Sequence, residues 1–87
     1  MTDLPPLAWR VVVRMSLDEP SRAALESLLR WAFGLEPTMA AAGLGSVRYF
    51  LSVLDELPLE PAEEPERRRV RRVVAVQVFG EEARSDD

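Results

Sequence analysis

Three prolines stand within eight residues of one another, at Pro58, Pro61 and Pro65, and they divide the chain more sharply than any other feature. Proline cannot donate a ladder hydrogen bond, so no central strand continues through this stretch. Six acidic residues and no basic one lie between positions 55 and 66. We therefore predict that residues 57–66 form an extended, solvated, acidic loop.

The segments on either side of this loop have the patterns of β-strands. Residues 8–15 alternate, with Trp9, Val11, Val13 and Met15 on one face. Residues 46–56 and 68–79 are rich in valine and aromatic side chains, which favour strands. The sequence thus predicts one strand before the loop, near the N-terminus, and a pair of strands that the loop joins.

A helix is expected between the first two strands. Asp18 or Ser16 can cap it, Pro20 suits its first turn, and Gly34 is a natural stop. Its apolar stripe at 100° per residue consists of Leu25, Leu28, Leu29 and Ala32. Residues 36–44 can add one or two short helical turns as a second helix.

The predicted element order is β-α-β-β, which is an α+β fold. A right-handed crossover and a central third strand give a three-stranded mixed sheet of order 2-3-1, a half-ferredoxin-like layer covered by one main helix. We expect residues 1–87 to form a single domain, because a second core would have too little apolar surface at this length. Residues 81–87 are expected to be a frayed acidic tail.

Composition removes many functions. The chain has no cysteine and no histidine, which excludes disulfides, thiolate nucleophiles, the usual zinc sites and imidazole bases. We therefore expect a protein that is not an enzyme and uses no cofactor or metal. Lysine, asparagine and isoleucine are also absent, which indicates a GC-rich bacterium or its phage. No apolar run approaches a membrane span, and the first six residues lack the pattern of a secretory signal, so we expect a cytoplasmic protein.

The second face of the predicted sheet is the candidate binding surface. It would have an apolar centre with an arginine rim, which is the anatomy of a protein interface. A bare face of this kind is unusual for a monomer, so we predict an interaction module that forms a homodimer or docks on a larger protein. The predicted interface residues are Arg10, Val12, Arg14, Arg48, Phe50, Leu54, Val73, Ala75 and Phe79.

The run of arginines that follows the predicted acidic loop has two interpretations. In the first, Arg67, Arg68, Arg69, Arg71 and Arg72 pair across a hairpin with Asp55, Glu56 and the acidic loop. In the second, they neutralise phosphates while Phe50 and Phe79 stack on bases, which makes nucleic-acid binding the alternative function. The net charge of −4 weighs against a polyanion.

Trp31 lies off the apolar stripe of the predicted helix. An exposed aromatic side chain of this size can anchor a partner. The other interpretation is that Trp31 packs under Met39 and Leu44 in the segment that follows.

Overall fold

The computed structural model describes residues 3–39 and 42–80, and all regular secondary structure in these two ranges is helical. Four α-helices follow one another: α1 (Pro6–Arg14), α2 (Glu19–Ala32), α3 (Leu44–Glu56) and α4 (Glu64–Phe79), with a 3-10 turn at Pro61–Glu63 before α4. No strand occurs in residues 3–39 or 42–80. The predicted α+β fold with its three-stranded, half-ferredoxin-like sheet is therefore wrong.

Each of the three predicted strands is a helix. Residues 8–15 lie almost entirely in α1, residues 46–56 lie in α3, and residues 68–79 lie in α4. In α1 the buried side chains are Leu7, Ala8, Val11 and Val12, which is the spacing of one helical stripe. Burial of that stripe outweighs the modest strand preference of valine, whose intrinsic propensity is a weak prior.

The helix predicted between Asp18 and Gly34 is confirmed as α2. Asp18 is its N-cap and accepts a hydrogen bond of 2.9 Å from the Ser21 backbone N–H. Hydrogen bonds from the Ser21 side chain and backbone lower the pKa of the Asp18 carboxyl below its ordinary value of 3.8. The cap is therefore fully formed near neutral pH and weakens as the pH falls through this lowered pKa.

The C-terminal end of α2 explains why Gly34 stands there. Gly34 has a φ of +78°. Its N–H donates to the Trp31 carbonyl, while the Leu35 N–H donates to the Arg30 carbonyl at 2.7 Å. These two bonds form a Schellman motif, which needs a residue in the left-handed region. Beyond it, the described part of residues 36–43 contains no helix, so the predicted second short helix is wrong there; residues 40 and 41 lie outside the described residues.

The proline block is only partly the extended loop that the sequence predicts. Residues 57–60 are non-helical, but Pro61 begins the 3-10 turn and Pro65 lies in the first turn of α4. Proline suits these positions because the first helical N–H groups have no intrahelical partner. The block therefore starts a helix instead of separating two strands. The predicted acidic tail, residues 81–87, lies outside the described residues.

The hydrophobic core draws on all four helices. Among its fully buried side chains, Phe50 and Leu54 come from α3, and Val70 and Val74 come from α4. Helix α4 contacts each of the other three helices. Within residues 3–39 and 42–80, no polar or charged residue falls in the buried class. Functional groups of the described chain therefore lie at the surface or at its edge.

Candidate interaction surface on helix α4

Helix α4 is the least amphipathic of the four helices. After the arginine run, residues 73–79 contain no charged residue and only one polar one, Gln77. Val74 is fully buried and Ala75 is 8% exposed, whereas Val73, Val76, Val78 and Phe79 are half-buried. A helical segment that is apolar on nearly all sides is normally enclosed, so the partial exposure of residues 73–79 needs an explanation.

Three of these half-buried residues form one ridge, while Val78 packs against the core. Val73, Val76 and Phe79 are spaced three residues apart, and positions with this spacing are neighbours on a helix surface. Arg69 and Arg72 are exposed, and each lies four residues before a valine of this ridge. We call these five residues the α4 face.

A groove runs between α4 and α3, on one side of the α4 face. It has a volume of about 660 Å³. Its apolar lining comes from Leu51, Ala75 and Phe79, and its charged lining comes from Arg48, Asp55, Glu56 and Arg71. Apolar groups at the centre with charges at the edge are typical of a surface that binds another protein.

A second, smaller groove lies between α4 and the end of α2. It has a volume of about 320 Å³, and its lining includes Phe33, Val73 and Val76. Arg69, Arg72 and Gln77 supply its polar lining. The ridge of the α4 face is thus flanked by a groove on each side.

Two arginines lie over aromatic rings at these grooves. The Arg48 guanidinium carbon is 5.2 Å from the centre of the Phe79 ring, and that of Arg69 is 5.9 Å from the Phe33 ring. Both distances fall within the range of a cation–π interaction. The guanidinium groups cover ring faces that a partner could otherwise contact, and they supply charge at the edge of the apolar ridge.

The structure divides the predicted interface residues into three groups. Val73, Ala75, Phe79 and Arg48 lie on or beside the α4 face. Val12, Phe50 and Leu54 are at most 1% exposed and belong to the core, so their assignment to a surface is wrong. The error follows from the assumed strand period. Successive residues of a strand alternate by 180° between two faces, whereas successive residues of a helix advance by 100°. Residues assigned to opposite faces of a strand can therefore share one face of a helix.

The other two predicted interface residues, Arg10 and Arg14, lie on α1 and are exposed. The Arg10 guanidinium forms an ion pair of 3.1 Å with the Glu63 carboxylate in the 3-10 turn. This pair ties α1 to the start of α4, away from the ridge. Exposed pairs of this kind contribute little stability.

The arginine run is not one patch. Arg71 forms a bidentate pair with Asp55, at 3.0 Å and 2.9 Å, so the predicted partner is right although the pairing joins two helices instead of two strands. Arg68, Arg69 and Arg72 are exposed. The Arg67 side chain turns inward, toward the end of α3.

Arg67 caps the C-terminal end of α3. Its guanidinium donates to the carbonyls of Leu54, at 3.0 Å, and Leu57, at 2.6 Å, and also to that of Asp55. It also pairs with the Glu64 carboxylate at 3.1 Å. The last carbonyls of a helix lack intrahelical donors and carry partial negative charge, so a cation is favoured there. Arg67 is therefore part of the structure and is not available to a ligand.

Trp31 is half-buried, which fits neither a freely exposed anchor nor a core residue. Met39 and Leu44, under which it was expected to pack, are 53% and 54% exposed. Trp9, by contrast, packs against the core, and the Arg30 guanidinium lies 5.8 Å from its ring.

Two residues of this surface, Val76 and Phe33, were missed by the sequence analysis. Neither residue is among the interface residues that the sequence predicts. The three-residue spacing of Val73, Val76 and Phe79 is the sequence signal that could have identified the ridge. This spacing is hard to recognise because nearly every residue from 73 to 79 is apolar.

Residues 3–39 and 42–80 contain no group of three or more acidic, cysteine or histidine residues that could hold a metal ion. None of the helices in these residues is long and apolar enough to cross a membrane. Comparison of the chain with protein-family models, with curated proteins and with solved structures gave no match.

Proposed function

We propose that this chain is a small bacterial or phage protein–protein interaction module that binds its partner through the α4 face. The proposed role is binding and not catalysis, with no cofactor, and the proposed compartment is the cytoplasm. The partner is a second copy of the chain or a larger protein to which it serves as an accessory subunit. The GC-rich pattern of the composition, with arginine as the sole basic residue, supports the bacterial or phage origin.

One observation carries the proposal: Val73, Val76 and Phe79 form a half-buried apolar ridge between two grooves, with arginines at its edge. Removing apolar surface from water contributes roughly 25 cal/mol per Å², so covering the ridge and its grooves favours association. Arginine is enriched in protein interfaces, because its planar group stacks and pairs while its stem adds apolar contact.

The test compares Val76→Arg with a matched control, Val13→Arg. Val76 is at the centre of the ridge, and an arginine near the C-terminal end of α4 is compatible with the helix. Val13 is 71% exposed on α1, outside the two grooves. We expect Val76→Arg to abolish the complexes of the chain, and Val13→Arg to keep them, with equal helical circular dichroism for both variants.

The complexes are measured in two ways. Sedimentation velocity of the purified chain at about 10 μM detects self-association, since dimers with a specific interface often form at this concentration. Size-exclusion chromatography of the tagged chain in an extract of its source cells detects a larger partner. The proposal fails if the wild-type chain and Val76→Arg behave identically in both measurements.

Nucleic-acid binding is the second candidate function. One observation favours it: Arg68, Arg69 and Arg72 are all exposed on α4. However, Phe50 is in the core and cannot stack on a base, and the net charge of −4 opposes a polyanion. Fluorescence anisotropy with single- and double-stranded oligonucleotides at about 150 mM salt decides the matter. Tight, steeply salt-dependent binding would favour this candidate over the first.

A further inference from the structure

We infer that the α4 face binds a second copy of this chain, with the two α4 helices antiparallel across a two-fold axis near Val76. This inference rests on the proposed function and specifies its partner. A two-fold arrangement brings the same surface of each protomer together, so the surface has to be complementary to itself. The distribution of charge along α4 meets this condition.

The charges of α4 are confined to its N-terminal half. The first turn of α4 carries Glu64 and Glu66, and five arginines follow between positions 67 and 72. Arg67 and Arg71 are paired within the chain, which leaves Arg68, Arg69 and Arg72 exposed, and residues 73–79 carry no charge. The C-terminal end of a helix bears partial negative charge, because its last carbonyls lack donors. The part of α4 just before the ridge is therefore positive, whereas its C-terminal end carries partial negative charge.

Only one orientation of two α4 helices satisfies these charges. Parallel helices would set the arginine half of one against the arginine half of the other, and like charges brought together at an interface are costly. Antiparallel helices set each arginine half beside the negative end of the partner helix. The arginines then occupy a favourable position relative to the dipole of the partner helix, in contrast to their position near the start of their own helix.

The ridge also fits itself in this orientation. An axis at Val76 brings together positions that are equally distant from it, so Val73 lies beside the partner's Phe79 and Arg72 lies near the partner's Gly80. The two grooves, of about 660 Å³ and 320 Å³, give the side chains of a helix laid on the ridge space on both sides. Packing of a ridge between grooves is the usual way in which helices associate.

Disulfide crosslinking tests this arrangement directly, because the chain contains no cysteine of its own. We expect the Val76→Cys chain to form a disulfide-linked dimer with itself. We expect Val73→Cys and Phe79→Cys to crosslink when the two chains are mixed, and much less when each is alone. A disulfide requires Cβ atoms within about 4.5 Å, so it reports on proximity. The control is Val13→Cys, at an exposed position on α1.

The expected difference is large. Cysteines held together in a dimer have an effective concentration on the order of 1 mM, compared with about 10 μM for free chains, so Val76→Cys should crosslink roughly 100-fold faster than Val13→Cys. Sedimentation of the wild-type chain at the same concentration should show a dimer, and Val76→Arg should be a monomer, because the axis would bring two arginines together.

Each contrary outcome has a definite meaning. A monomeric wild-type chain, or equal crosslinking of Val76→Cys and Val13→Cys, overturns self-pairing. Self-crosslinking of Val73→Cys and of Phe79→Cys that exceeds crosslinking of their mixture overturns the antiparallel orientation. The proposed function still holds after either result if a complex with a larger protein depends on Val76. It fails only when no complex of the chain depends on Val76.

Discussion

Arg67 is one of five arginines that are equivalent in the sequence but not in the structure. Its side chain is 15% exposed, against 46% for Arg71, because it lies across the end of α3 and donates to three backbone carbonyls. A run of arginines in a sequence indicates positive charge, but it does not show which member turns inward. Which arginine turns inward depends on where a neighbouring helix ends, and this is a property of the tertiary structure.

We expect Arg67→Lys to destabilise the fold by about 1–3 kcal/mol, since lysine keeps the charge but lacks the planar fork that reaches several carbonyls. Arg68→Lys is the control, because Arg68 is exposed on the same helix, and it should change stability by no more than about 0.5 kcal/mol. Urea unfolding followed by circular dichroism measures both. Equal midpoints for the two variants would contradict the capping role.

At the scale of elements, α2 could be predicted from the sequence whereas the other three helices were not. Asp18, Pro20 and Gly34 mark the two ends of α2, and its leucines have an unambiguous helical period. In α1 and α3 the helical stripe competes with runs of valine and aromatic residues that also suit strands. In α4 the apolar residues are nearly continuous, so periodicity cannot separate a buried helix from a strand.

The prolines were the second source of error. Pro6 and Pro65 each lie in the first turn of a helix, where the missing N–H has no cost. Pro20 is predicted at a helix start for the same reason, whereas the residues around Pro61 are predicted to be a loop between strands. A proline that follows an acidic residue is equally typical of a helix start, as at Pro65.

Two glycines provide a test at this scale. Gly45 lies in the first turn of α3 with no other atom within 4 Å of an added Cβ, so Gly45→Ala should stabilise the fold by about 0.4–1 kcal/mol. Gly34→Ala should destabilise it by about 1–2 kcal/mol, because its φ of +78° is unfavourable for alanine. Thermal unfolding measures both changes. A loss of stability in Gly45→Ala would contradict the helical assignment of residues 44–56.

At the scale of the whole molecule, the assignment of residues to the core or the surface followed from the fold class. A strand period placed Phe50 on an exposed face, but the helix period makes it a fully buried side chain. The same strand period placed Val73 and Phe79 on that face, and in the helix both are half-buried.

Phe50→Ala therefore tests whether the helices enclose the core described above. We expect it to cost about 3–5 kcal/mol, because it removes a large side chain from a closed core. Domains of this length have a total stability of roughly 4–13 kcal/mol, so the variant loses a large share of it and is unfolded if the total lies at the lower end. The matched control is Leu44→Ala on the same helix, whose side chain is 54% exposed and whose loss should cost less than about 1 kcal/mol. Circular dichroism at 222 nm during urea unfolding compares them, and similar midpoints would exclude the helical core.

Helix α4 contacts α1, α2 and α3, and two of its valines are fully buried. It cannot detach without opening the core, so its amide hydrogens should exchange with solvent only through global unfolding. The ridge that we assign to binding thus belongs to a helix that packs against three others. The partner therefore binds a surface whose backbone is already ordered, so association costs little backbone conformational entropy in this chain.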